Sequence, residues 1–200
     1  CTNLELGGTT PSKEDITTII DTLSIPIHVL VRPRSGNFVY SKKEISEMLA
    51  AIQFCKTIGC QGVVFGILND DNSINKTQTK ELVKTAKPMH TTFHRAFDEG
   101  NNLKQNLEDV IDCGCDTILT AGQANNVTKG LSNLKQLITI ANKRITILAG
   151  SGVNHNNVEA LSKIGVDNFH LSGSKTTANG TTITDTQLIK MAVEKIKSIV

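Results

Sequence analysis

The stretch TTFHRAFD, residues 91–98, sets an imidazole, a guanidinium and a carboxylate within five positions, at His94, Arg95 and Asp98. Its flanks read as a buried strand, where charged groups are costly unless they are paired or put to use. An imidazole can move protons near neutrality, and a guanidinium can hold a carboxylate or a phosphate. Other stretches share this polar character. VRPR carries Arg32 and Arg34, FHLSGS carries His170, and LAGSGV and LSGSK supply Gly150, Ser151, Gly152, Ser172, Gly173 and Ser174.

A regular alternation positions these groups. IPIHVLVRP (25–33), GVVFGIL (62–68), TTFHRAFD, TILTAG (117–122), ITILAGSG (145–152) and NFHLSGS (168–174) read as strands, each followed by a helix. In KKEISEMLAAIQFCKTIG (42–59), Ile45, Met48, Leu49, Ile52 and Cys55 fall at helical spacing, and Gly59 stops the helix. Nearly continuous apolar strands between helices belong to a parallel sheet. PSKEDITTIIDTL adds one more helix, with Pro11 and Ser12 at its start, and Cys1–Leu6 reads as the end of the strand before it. That gives seven βα units, the first cut short, where a barrel closes with eight. The sequence therefore predicts an α/β TIM (β/α)8 barrel, with residues 1–200 forming one domain and the first βα unit missing from the N-terminus of this chain. A doubly wound sheet is the rival, but no G-x-G-x-x-G follows the first strand and the units are similar in length.

Side chains alternate along a strand. Phe93 and Phe97 should face the helices, and Thr92, His94, Ala96 and Asp98 the barrel axis, with Arg95 at the rim curling its stem into the mouth. The same parity turns His28, Leu30, Arg32 and Arg34 inward, as it does His170 and Ser172, while Thr120 and Gln123 end their strand. Polar groups thus gather at strand C-termini, the face where barrel enzymes carry their chemistry. Arg32, His94, Arg95, Asp98 and His170 are the candidate catalytic residues, with His94 or Asp98 as general acid or base. Each also has a structural reading. Arg32 and Asp98 could form an ion pair closing the barrel top, and His94 and His170 could be hydrogen-bonded core groups, as His28 reads from its early position. His94 and Asp98 lie about 13 Å apart along a straight strand, so separate partners are predicted, Thr120 for His94 and Arg32 or Arg34 for Asp98. That pairing would leave His94 as the proton shuttle near neutral pH. The glycines of LAGSGV and LSGSK let backbone N–H groups approach an anion. They predict a phosphate or carboxylate site at Gly150, Ser151, Gly152, Ser172, Gly173 and Ser174, a tight βα turn being the alternative.

Composition bounds the partners. Lys+Arg 21 against Asp+Glu 19, one Tyr, six Phe and no Trp leave no basic stripe and few stacking platforms, so no nucleic acid is expected. No apolar run reaches the roughly 20 residues of a membrane helix, and no signal peptide opens the chain. Five cysteines, Cys1, Cys55, Cys60, Cys113 and Cys115, argue against a disulfide framework and for a reducing cytoplasm. A lipid-anchored cysteine at position 1 would need a flexible tether, which does not follow it. Cys60, Cys113 and Cys115 precede strands, at the face that serves stability, and read as buried thiols. Cys1 alone lies toward the mouth.

In this order and spacing, NLELGGTTPS, IHVLVRPRSGNFVYS, GVVFGIL, TFHRAFD, ILTAGQ, ILAGSGVN and FHLSGS resemble the CutC copper-homeostasis family over residues 1 to about 174. The motifs R-P-R-x-G-x-F-x-Y-S and F-H-R-A-F-D carry the likeness. The resemblance implies a cytoplasmic TIM barrel, often a homo-oligomer, that handles copper. Cys1 matches the cysteine closing the family's E-L-C and becomes the candidate ligand for Cu(I), while Arg32, Arg34, His94, Arg95, Asp98 and His170 match polar mouth positions. Three departures stand out. The preceding glutamate and first strand, where the family can carry another cysteine, are absent; the loop TTANGTTI is shorter than the family's; and Cys60 and Cys115 fall where relatives have small or apolar residues. Two readings follow, a copper-binding homeostasis protein or a barrel enzyme acting on a small anionic or phosphorylated metabolite. The sequence leaves open whether the protein is an enzyme.

Overall fold

The computed structural model describes residues 1–178 and 180–199; Asn179, inside the TTANGTTI connection, and Val200 lie outside the described residues. Six parallel strands form one sheet in the order of the sequence: β1 (His28–Leu30), β2 (Gly62–Phe65), β3 (His90–Phe93), β4 (Thr117–Thr120), β5 (Thr146–Ala149) and β6 (Asn168–Phe169). Helix α1 (Lys13–Thr22) precedes β1. The helices α2 (Lys42–Thr57), α3 (Lys76–Ala86), α4 (Ala96–Glu99), α5 (Leu103–Asp112), α6 (Leu131–Ala141) and α7 (Val158–Lys163) connect successive strands. A doubly wound sheet reverses its order at a switch point. The order here does not reverse.

The chain falls into two compact units, Cys1–Ile118 and Leu119–Val200. In the first, the parallel register aligns Val29 with Val63 and Phe65 with Phe93, and all four side chains are buried. Ile45, Met48, Ile52 and Cys55 of α2 and Leu82, Val83 and Ala86 of α3 supply the helical half of this core. Burying a side chain such as Leu or Phe contributes roughly 1.5–3 kcal/mol, so this layer accounts for much of the unit's stability. Local chemistry fixes the helix starts. Ser41 and Glu44 form a reciprocal capping box on α2, and the Ser12 side chain accepts from the Asp15 amide at α1. The second unit buries Ile147 and Ala149 of β5 together with Leu134 and Leu137 of α6 and Val158 and Leu161 of α7. It adds an antiparallel pair, β7 (Ser174–Thr176) and β8 (Thr182–Thr184), and the closing helix α8 (Thr186–Lys197).

Three segments differ from the sequence expectation. Cys1–Leu6 is a reversal and not the end of a strand. Gly7 and Gly8 take positive φ (81° and 86°), which turns the chain so that the Thr2 and Thr9 amides and carbonyls bond each other. The strand in TTFHRAFD stops at Phe93. The His94 amide still donates to the Phe65 carbonyl, but the Phe97 and Asp98 amides turn back to the His94 and Arg95 carbonyls. In NFHLSGS the sheet strand ends at Phe169, and Ser174 already belongs to the antiparallel pair.

Candidate functional site

The first unit gathers Arg32, Arg34, Phe38, Tyr40 and His94 just past the C-terminal ends of β1 and β3. Thr10 pins the Arg32 backbone. The Arg32 amide donates to Thr10 Oγ1 (2.8 Å), and the Thr10 amide and hydroxyl donate to the Arg32 carbonyl. The Arg32 side chain is only 7% exposed. Its Nη1 donates to the carbonyls of Leu6 (3.3 Å) and Gly8 (3.1 Å), and its Nη2 to that of Gly36 (2.8 Å). The guanidinium carbon lies 4.9 Å from the centre of the Phe38 ring. Arg32 is thus a clamp on two loops.

Arg34 is a second clamp. Its Nε meets the Glu44 carboxylate, Nη1 donates to the Ser35 and Asn37 carbonyls, and Nη2 donates to that of Val39 (2.7 Å). It lies over the Tyr40 ring at 5.2 Å. Glu44 thereby ties the 35–39 loop to the cap of α2. Burial raises the Tyr40 pKa first, and the Arg32 and Arg34 charges oppose the rise. The phenol hydroxyl lies near the Arg32 guanidinium, yet no partner meets hydrogen-bond geometry with it.

His94 is 6% exposed. Its Nδ1 accepts the Ala96 amide at 3.1 Å, so the neutral ring carries its proton on Nε2. The ring sits 4.8 Å from Phe38 and fits against Gly66, where a Cβ would come within 2.5 Å of Nδ1. Burial, then the Arg32 charge, lowers the His94 pKa to about 3. The imidazole is therefore neutral near pH 7. This corrects the expectation of a proton shuttle there, because a base so weak holds almost no proton at neutrality. The expected Thr120 partner is replaced by the Ala96 amide, and the Thr120 hydroxyl accepts from Gly122 (2.8 Å).

Asp98 has an ion-pair partner on its own turn. Because the chain turns after His94, Arg95 and Asp98 lie three residues apart on one helical turn, and Arg95 Nε donates to Asp98 Oδ2 at 2.8 Å. Cys1 is exposed. Its Sγ lies 3.8 Å from the place a Gly8 Cβ would occupy, beside the carbonyl that Arg32 holds. The other thiols are buried. Desolvation pushes Cys55 up to about 12 and Cys113 up to about 11, and raises Cys60 and Cys115 as well.

In the second unit, the glycines have packing reasons. The Gly150 amide, expected to face an anion, donates to the Thr120 carbonyl as part of the ladder, and a Cβ there would lie 2.4 Å from Leu119. Ser151 Oγ donates to the Asn125 carbonyl, and the Gly152 carbonyl accepts from the Asn154 and Asn157 side chains. Helix α7 begins at Val158, and its N-cap residue Asn157 spends its side-chain amide on the Gly152 carbonyl. The Gly173 carbonyl accepts from the Asp185 amide, a Cβ there would strike Ile189 at 2.4 Å, and Ser174 Oγ donates to Ser172 Oγ. His170 is exposed, with its amide donating to the Ala149 carbonyl.

Sequence reasoning missed Tyr40 and Phe38 as parts of the cluster. The signal was available. Tyr40 is the single tyrosine of the chain, in an irregular stretch two residues after Phe38 and close behind two arginines.

The CutC family model matches residues 1–175. A CutC family protein of Bacteroides fragilis is 41% identical over 182 residues, covering 90% of this chain and 72% of that relative. One from Aliivibrio fischeri is 40% identical over 179 residues, covering 88% and 72%. The crystal structure of CutC from Streptococcus agalactiae superposes with a TM-score of 0.81 at 31% identity, over 85% of each chain. The deoxyribose phosphate aldolase of Aeropyrum pernix, at TM-score 0.63 and 12% identity over 94% of this chain and 75% of that one, shares the fold alone.

Proposed function

This chain belongs to the CutC family, and from that premise we propose that it is a cytoplasmic copper-homeostasis protein that takes Cu(I) on the Cys1 thiolate. The Streptococcus agalactiae relative is named for copper homeostasis. The observation that carries the reading is the contrast among five thiols: Cys1 is exposed, and burial keeps the other four protonated. Copper(I) binds soft thiolates, and only the deprotonated sulfur is a ligand. Among the described residues, no three His, Cys, Asp or Glu side chains lie together to hold a metal. Cys1 therefore supplies one ligand, and a second thiolate is needed to complete the set. The free thiols support a reducing compartment, and among the described residues no helix is long and apolar enough to cross a membrane. For the fold, the proposal takes one domain with an eight-stranded TIM barrel, supported by the sequential parallel order of β1 to β6.

The test is a Cu(I) titration of the full-length protein against a competing chelator. Cys1→Ser should weaken binding by at least about tenfold, the loss of one soft ligand, while serine at Cys55, Cys60, Cys113 and Cys115 together should not. One copper per two chains would place the second thiolate on another copy, and one per chain on the same one. Unchanged affinity in Cys1→Ser would overturn the assignment. The enzyme reading with His94 as the base is the weaker one, because burial and then Arg32 lower its pKa far below neutrality and leave the neutral ring a poor proton acceptor.

A further inference from the structure

Arg32 Nε, Tyr40 Oη and His94 Nε2 are buried and none meets hydrogen-bond geometry with a partner, although Tyr40 Oη lies beside the Arg32 guanidinium. Buried polar atoms are almost always paired, and leaving one unpaired costs on the order of 1–3 kcal/mol. Three such atoms in one neighbourhood ask for an explanation. Arg32 and His94 both rest on the Phe38 ring, at 4.9 and 4.8 Å, and the Arg32 charge is felt by both His94 and Tyr40.

The chemistry of the three atoms is the same. An arginine nitrogen can only donate. The His94 tautomer is set by the Ala96 amide on Nδ1, which leaves Nε2 as a donor. The Tyr40 hydroxyl, protonated because burial raises its pKa, donates as well. Charge points the same way. The Arg32 side chain bonds three neutral carbonyls, and among the described residues it has no carboxylate partner. Glu44, the acid near Tyr40, is already paired with Arg34. The neighbourhood therefore holds one uncompensated positive charge and three unused donors.

We propose that Arg32 Nε, Tyr40 Oη and His94 Nε2 form a recognition site for the carboxylate of a small organic acid, covered by the Phe38 ring. A carboxylate brings one negative charge to match the one positive charge. A phosphate monoester brings about 1.5 to 2 and would leave a buried excess. Because the three atoms are shielded from solvent, a ligand must displace a side chain to reach them, and Phe38, which packs on both Arg32 and His94, is the one we assign to move. Its backbone can stay fixed, since the Phe38 carbonyl is held by the Leu68 amide. The site is separate from the copper reading, and Cys1→Ser should leave it intact.

The test uses acetate as the probe. Acetate is titrated into the 15N-labelled full-length protein at neutral pH and constant ionic strength, and the His94 Nε2–H resonance is followed. A saturable downfield shift is expected, with inorganic phosphate giving none. Tyr40→Phe, which removes one hydroxyl and no packing, should weaken acetate by about tenfold or more, as for a hydrogen bond to a charged group. Should that variant fail to fold, His94→Asn removes a different donor while keeping an acceptor for the Ala96 amide, and calorimetry should record a loss of the same order. The proposal is overturned by no saturable response in the native protein. It is equally overturned by undiminished affinity in the folded variant, or by phosphate binding as tightly as acetate.

Discussion

Acid should destabilise this protein through His94 well before its carboxylates titrate. In the folded state, burial and then Arg32 lower the His94 pKa to about 3, whereas the unfolded chain has the ordinary value of about 6.5. Between these values the unfolded state binds nearly one proton more than the folded state. Stability therefore rises with pH across that window, by about 1.4 kcal/mol per unit. Above the unfolded value the effect vanishes; below it the penalty grows as pH falls toward the folded value. From pH 7 to pH 5 the integrated loss from this one residue is about 2 kcal/mol. His28, lowered by burial and by the neighbouring His90, pushes in the same direction, so the raw pH dependence does not isolate His94. The comparison with His94→Asn does. Asparagine does not titrate and can still accept the Ala96 amide. Urea denaturation of both proteins at pH 7 and pH 5 should show the native protein's advantage over the variant shrinking by about 2 kcal/mol. A difference that stays constant between the two pH values would refute the reasoning, because it would mean that the His94 ring is solvated or already paired when folded.

Gly66→Ala tests the packing around the same ring. A Cβ there would lie 2.5 Å from Nδ1 and 2.7 Å from Cε1 of His94, so urea denaturation should show a loss of about 1–3 kcal/mol, the usual cost of overpacking; an unchanged midpoint would show that the imidazole yields freely. Thiol labelling with a disulfide reagent in the folded protein should modify Cys1 rapidly and the other four only after denaturant is added. Rapid labelling of any second cysteine would remove the contrast on which the copper assignment rests.

The βα alternation was legible because its signals are local: apolar runs, helical spacing, and caps such as Ser41 with Glu44. The end of β3 was not. Phe97 is apolar at a position that suits both a continuing strand and a helical turn packed on the core, and the amide of Ala96 bonding to His94 Nδ1 leaves no mark in the letters. Reading one strand through that turn sent Asp98 to Arg32 or Arg34, whereas Arg95, three residues back, pairs with it. The reversal at Gly7 and Gly8 was not read, because the hairpin they close depends on Thr2 meeting Thr9. Parity turned both Arg32 and His94 toward the barrel axis, and the structure packs both against the Phe38 ring. Their states escaped it, because the carbonyls that bind Arg32 at Leu6 and Gly8 come from 26 and 24 residues away.

Arg32 is the residue on which the neighbourhood depends, and its chemistry explains why the position holds an arginine. Three carbonyls from two loops must be met at once, which a planar fork with fixed donor directions does and a compact ammonium does not. Carbonyl dipoles offset part of the cost of burying the charge, but a buried cation without an anion remains expensive. Its field then acts on the two groups beside it. It disfavours a second positive charge on His94 and checks the rise of the Tyr40 pKa without overturning it. Both neighbours stay neutral, and each keeps a proton to donate. An acceptor-only partner with a single negative charge would satisfy all three groups and offset the cost of the buried cation in one step. That coincidence of donor count and charge is the reason to assign the three atoms to one ligand.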